Sequence, residues 1–377
     1  MNAGLIVIIL LLVLSILGIP IYLALGIGTL VALNMADMPF IVLPQKLFAG
    51  MNSSSLLAIP FFMLAGNIMS RSITGKLIDV SNALIGWIKG SLAVVTVLAS
   101  ALFGAISGSG VATASAVGGT TIPAMKEEGY PDHFAAAISG IAAILGPIIP
   151  PSITLIVYAS ITDLSVSKLF VGSVIPGILM AVGLIIYALF YGKKNDLPAH
   201  ERKSAKEVLL IFKDSIWALL MPVIILGGIF GGIFTPTESA AVAVVYALLV
   251  SLLIYKDIKI KDIPGIFVDG AISTATILML VGISKSSGYV ITTSGLPHQV
   301  LEVFSSFTNS TVVILLLLNI LFLVIGMLME ANAAIIMMTP IRSLLLKNAA
   351  YPSSMQHFLF SKLHFQIYFF IYFLHLI

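Results

Sequence analysis

Long stretches of this chain carry no formal charge. Residues 1–36, 90–125, 134–162, 169–192 and 303–329 contain no Asp, Glu, Lys or Arg. Each is longer than the roughly 20 residues an apolar helix needs to cross a bilayer. Only 9% of the residues are charged, against about one quarter in an ordinary soluble domain, so the chain cannot cover a water-facing surface. Backbone polar groups in lipid must be satisfied internally, which helices do within one segment. The expected fold class is an all-α polytopic membrane protein. The first apolar run lacks a basic leader and is broken in its middle by Gly18, Ile19 and Pro20, so it reads as mature structure rather than a cleaved signal.

Several function classes drop out on the same grounds. The chain has no cysteine, which removes disulfides and thiolate metal sites. Its six histidines show no metal-ligand spacing, and no nucleophile–base pattern or phosphate-binding loop is present. The net charge of +3 comes mostly from loops and carries no nucleic-acid signature. An enzyme is not expected, and neither is a bound cofactor.

The basic residues set the topology. "GKKNDLPAHERKSAKEVLLIFKD" (192–214) and "YKDIKIKD" (255–262) hold the main Lys and Arg clusters, and both are expected on the cytoplasmic side. The stretch between them, 215–254, then crosses twice. Its turn is "FTPTE" (234–238), where Thr235 suits an N-cap, Pro236 the first helical position and Glu238 the closing arm of a capping box. Glu238 therefore reads as a helix cap rather than a chemical group.

The chain also repeats itself weakly. "GGTTIPAMKEEGYPDHF" (118–134) has a counterpart in "IMMTPIRSLLLKNAAYPSSMQHF" (336–358), and "LGIPIYLALGIG" (17–28) has one in "GGIFTPTESAAVAV" (231–244). Copies containing an odd number of crossings lie in opposite orientations, the plan of many secondary transporters. Each half has an amphipathic stretch too polar to span, at 74–90 and at about 259–274, expected as arm helices at the membrane interface. The reading divides the chain into a first repeat over 1–195, with a hairpin at about 92–125 and a broken helix at 134–162, and a basic loop at 196–214. A second repeat follows over 215–348, with its own hairpin at about 311–345, and then a divergent tail at 349–377.

The centre of the longest internal run, "SGSGVATASAVGG" (107–119), is built almost wholly from Gly, Ala, Ser and Thr. A run of this length is too long for one comfortable span and short for two. A helix–turn–helix that enters and leaves by one face fits it, with non-helical backbone at Ser107, Gly108, Ser109 and Gly110 lined by protein or water. Small residues also let helices approach closely, as Gly104 and Gly108 would. "ILGPIIPPSITLIVY" (144–158) then places Gly146, Pro147, Pro150 and Pro151 inside another uncharged run. Three prolines in five positions unwind a helix, and the freed carbonyls need partners.

The pairing of "GSGVATASAVGGTTIPAM" with "GPIIPPS", followed by "FTPTESAAVAVVYAL" and "MEANAAIIMMTPI", resembles the large membrane subunit of tripartite ATP-independent periplasmic (TRAP) transporters. The resemblance implies an inverted-repeat, elevator-type importer of organic acid anions, such as four-carbon dicarboxylates or sialic acid, in the bacterial inner membrane. It implies sodium as the coupling ion, a periplasmic binding protein that delivers substrate, and a small four-helix membrane subunit as partner. It assigns sodium to Ser107, Gly108, Ser109, Gly146, Pro147 and Pro150, and substrate to Gly110, Thr113, Ser152, Glu330 and Asn332. The match decays after Ile341, and "LFSKLHFQIYFFIYFLHLI" (359–377) reads as a shifted frame or a premature end. A stand-alone sodium–dicarboxylate symporter and a non-functional remnant of the permease are the alternatives.

Overall fold

The computed structural model describes residues 2–162 and 164–307, with isolated positions beyond. Every regular element among them is helical: α1 (Ala3–Ile16), α2 (Ile21–Met35), α3 (Val42–Met51), α4 (Ala58–Ser72), α5 (Thr74–Ile85), α6 (Ser91–Ser107), α7 (Gly110–Thr113), α8 (Gly119–Glu127), α9 (Asp132–Ala143), α10 (Leu145–Ile148), α11 (Ile153–Thr162), α12 (Val166–Lys194), α13 (Ala205–Phe230), α14 (Pro236–Leu249), α15 (Ile263–Thr293) and α16 (Leu296–Phe307). A π turn, Ala114–Gly118, joins α7 to α8, and another, Val250–Ile254, extends α14. Four stretches are long and apolar enough to cross a membrane: Val166–Lys194, Ala205–Phe230, Pro236–Ile254 and Ile260–Thr293. The protein is an all-α polytopic membrane protein.

Local sequence explains where the helices begin. Ser204 caps α13 and Thr235 caps α14, each in a complete capping box with the glutamate three residues on. The stretch 215–254 forms two apolar helices, α13 and the π-extended α14, with a turn before Thr235. The second arm differs from expectation. Residues 259–274 do not close as a separate helix but run through α15 to Thr293. The Asp262 carboxylate accepts from the Lys259 N–H and starts the helix, and no proline follows Pro264 until Pro297, beyond the helix end at Thr293.

The described chain groups into two units. Among the described residues, one holds 2–56, 157–162, 164 and 273–307. In it α1 packs against α2, and a buried Thr29–Ser287 hydroxyl pair at 2.7 Å joins α2 to α15. The other holds Leu57–Ile156 and Ser165–Ile272 and is organised around α6. Fourteen of the 17 residues of α6 are buried, against ten of 29 in α12. A helix that is apolar all round and covered on nearly every face is a core element rather than a lipid-facing one. Helices α4, α5, α9, α10, α12 and α13 pack around it.

Candidate functional site

Residues 91–127 form a helical hairpin with limbs of unequal character. The first limb, α6, stops at Gly108, whose φ of 62° is the left-handed conformation that glycine adopts at low cost. Ser109 is extended and caps the returning limb, its Oγ accepting from the Ala112 N–H at 3.3 Å. The returning limb passes through α7 and the π turn into α8. π turns break the regular backbone ladder and recur at functional sites.

Two hydroxyls and the Ser109 backbone meet at the tip. Thr113 Oγ1 donates to the Ser109 carbonyl at 2.7 Å, which leaves its lone pairs toward Ser107 Oγ, 3.4 Å away. The Ser109 N–H reaches Ser107 Oγ at 3.4 Å. Both contacts to Ser107 are long for hydrogen bonds of their kind, yet Ser107 and Thr113 are buried. Two buried hydroxyls thus stand side by side with spare acceptor capacity.

The broken helix faces this tip. α9 and α10 run up to Ile148, the chain unwinds over residues 149–152, and α11 resumes with a bend of 43°. Pro147, Pro150 and Pro151 cause the break, because each lacks the N–H a helix would use. Ser152 repairs part of it, since its Oγ donates to the Pro147 carbonyl and accepts from the Leu155 N–H. The Ile153 N–H then crosses to the Gly108 carbonyl at 3.2 Å, so the two breaks are tied backbone to backbone. Contact is closest at glycines: a Cβ on Gly146 would lie 2.7 Å from both the Ser109 carbonyl and Thr113 Oγ1, and one on Gly104 would lie 2.7 Å from the Gly146 Cα.

Electrostatics here come from helix ends. No charged residue lies in 90–125 or 134–162. The C-terminal ends of α6 and α10 bring partial negative charge, and the starts of α7 and α11 bring partial positive charge. One small region therefore suits a cation and an anion side by side.

The structure brings Ser107, Gly108, Ser109, Gly110 and Thr113 together with Gly146, Pro147 and the 149–152 break. Thr113 and Ser152 are closed off with their hydroxyls engaged, whereas Ser109 and Gly110 are partly exposed. Glu330 lies outside the described residues, and Asn332 is described only as a partly exposed helical position. Gly66 had no sequence signal: its added Cβ would meet Ser107 at 3.2 Å, so α4 backs the tip from behind. Gly104, read as a packing residue, does pack, and it packs on the break itself.

Comparison with known proteins bears on the same residues. The family described as "Tripartite ATP-independent periplasmic transporter, DctM component" matches residues 8–373, past the point where the motif resemblance was expected to decay. A putative TRAP transporter large permease of Haemophilus influenzae is 37% identical over 336 residues, covering 89% of this chain and 79% of that protein. The C4-dicarboxylate large permease DctM of Pseudomonas aeruginosa is 40% identical over 297 residues, 78% of this chain and 70% of that one. The sialic acid large permease SiaM of Vibrio cholerae is 35% identical over 298 residues, again 78% and 70%.

Proposed function

The chain belongs to the DctM family of tripartite ATP-independent periplasmic transporters, and from that premise we propose that it carries organic-acid anions across the bacterial inner membrane together with sodium. The observation that supports this reading is the pairing of two backbone breaks, at Gly108–Ser109 and at residues 149–152, with the buried Ser107–Thr113 hydroxyl pair between them. A hard monovalent cation is held by neutral oxygens, and half-helix ends supply the matching field. In this reading sodium uses Ser107, Ser109 and the carbonyls around Gly108, Gly146, Pro147 and Pro150. The substrate carboxylate meets the partly open side at Gly110, with Thr113 and Ser152 bracing the backbone beneath it. Glu330 and Asn332 belong to the substrate set of the second half.

The relatives' names supply the substrate class: C4-dicarboxylates for one and sialic acid for another. Family membership implies delivery by a periplasmic binding protein and a small membrane subunit as partner. The test reconstitutes the chain with both partners in liposomes and measures uptake of a C4-dicarboxylate and of sialic acid against a sodium gradient. Losing one hydroxyl ligand costs about 1 kcal/mol, so Ser107→Ala is expected to raise the half-saturating sodium concentration roughly fivefold. A sodium titration identical to the parent's would overturn the site. Uptake that persists without the binding protein would favour a stand-alone symporter. Topology is tested by single cysteines at Lys203 and Lys259, which should label from the cytoplasm only.

A further inference from the structure

Residues 195–202, between α12 and α13, hold the two feet of the hairpin in different ways. At the entry foot, before α6, the His200 N–H donates to the Gly86 carbonyl at 3.0 Å and the Gly90 N–H donates to the Pro198 carbonyl at 3.1 Å. Lys89 pairs with Asp196, and the Arg202 guanidinium sits 5.1 Å from the Trp87 ring centroid. This side is anchored several times over. At the exit foot, where α8 ends, the link is one side-chain contact: His200 Nε2 to Glu128 Oε1 at 2.8 Å. The other ring nitrogen, Nδ1, faces Ser91 Oγ at 3.4 Å, on the first residue of α6. One imidazole therefore touches both limbs.

The limbs differ in how firmly they are seated. α6 is enclosed by the rest of its unit, while the returning limb packs on α9, α6 and α5 and still leaves Gly119, Thr120, Pro123, Lys126 and Glu127 exposed. The less covered limb is the one that can lift, and lifting it would draw Thr113 away from Gly146. Glu128 is suited to being held rather than free: its second oxygen, Oε2, is buried without a partner, and burial pushes its carboxyl above the ordinary range, against the pull of His200.

We infer that His200 is a positioning residue that latches the exit foot of the hairpin through Glu128, and so keeps the returning limb seated on the broken helix while ion and substrate bind. The inference rests on the proposed transport site for its purpose, but the latch is tested without transport. The chain has no cysteine, so Val117→Cys, on the π turn and 1% exposed, gives a single maleimide reporter of limb lifting in the assembled, membrane-embedded complex. A hydrogen bond to a charged group is worth about 1.5 kcal/mol or more, so His200→Ala is expected to speed labelling about tenfold. Glu128→Ala should do the same, and the double variant no more than either alone. His200→Gln, whose amide N–H still reaches the carboxylate, should stay within about threefold of the parent. Parent-like labelling in His200→Ala, or multiplying effects in the double variant, would overturn the latch. If His200→Ala does not reach the membrane, Glu128→Ala decides by the same criterion. Sodium titrations of uptake in the same variants separate the two ideas. Faster labelling in a transporter with no sodium dependence sinks the sodium site and keeps the latch. Sodium-dependent uptake with parent-like labelling does the reverse.

Discussion

Two helix starts in this protein share one local grammar and end in opposite roles. α14 begins after a glycine-containing turn with Thr235 as its cap, and α7 begins after Gly108 with Ser109 as its cap. At α14 the Glu238 N–H is taken by Thr235 Oγ1 at 3.3 Å, and the Glu238 carboxylate accepts from the Thr235 N–H at 2.8 Å. The helix start is complete within four residues and exposed. At α7 the position that would carry the acid is Ala112, and the Ser109 N–H makes do with Ser107 Oγ at 3.4 Å. That start is completed by another segment, the break at residues 149–152. A helix end that closes on itself is a structural device, whereas one that is short of anion and pressed against a second break keeps capacity for a ligand.

The largest expected effect attacks the contact between the breaks. Gly146→Ala puts a methyl group 2.7 Å from the Ser109 carbonyl and from Thr113 Oγ1. Both neighbours are held by backbone, so the tip must shift, and geometry-dependent sites lose on the order of 10²-fold for displacements near 1 Å. Uptake by the reconstituted complex should fall to the background of empty liposomes. Parent-like uptake would mean that the two breaks need not touch.

Ala112→Glu asks the sharper question, because it writes the capping box of α14 into α7. The new carboxylate can accept from the Ser109 N–H as Glu238 does from Thr235, so the helix start itself gains. The same charge occupies the positive end of α7 and competes with an anionic substrate. The expected result is normal membrane content with the substrate KM raised at least about tenfold, a cost of about 1.4 kcal/mol. An unchanged KM would remove α7 from the substrate site.

Much of this contrast was legible in the sequence. FTPTE carries its whole capping box in five residues, and the clustered prolines at 147, 150 and 151 announce a break by themselves, because both signals are local. The tip at Ser107–Gly110 was legible as a turn. What could not be read was which segment completes it. Gly66 and Gly104 look like ordinary small residues until Ser107 and Gly146 are seen beside them. His200 and Glu128 meet across 72 positions of chain with no periodicity linking them. The π turn at Ala114–Gly118 leaves no mark in composition. The continuation of residues 259–274 into α15 was missed for the opposite reason, since a polar stretch lowers average hydropathy without ending a helix.

A matched pair of cap removals gives a smaller effect and tests the comparison directly. Ser109→Ala and Thr235→Ala each delete an N-cap hydroxyl, worth about 1 kcal/mol of stability. Similar downward shifts in thermal unfolding of the detergent-solubilised complex are expected. The sodium titration should separate them, with half-saturation rising in Ser109→Ala and staying put in Thr235→Ala. A shift in both would mean that general helix stability, and not a ligand at the tip, governs sodium use.

The smallest effect belongs to Glu238→Gln. The carboxamide oxygen can still accept from the Thr235 N–H, and Thr235 Oγ1 still accepts from the backbone of residue 238, so the box keeps its hydrogen bonds. What is lost is a full negative charge at a helix start, which is solvent-exposed here and screened by salt. The unfolding temperature should drop by less than half the shift seen for Thr235→Ala, and the difference should shrink as salt is raised. Uptake, substrate KM and sodium titration should match the parent. A changed sodium titration would be the informative outcome, because it would bring a carboxylate at the exposed turn into the ion cycle and erase the distinction between the two helix starts.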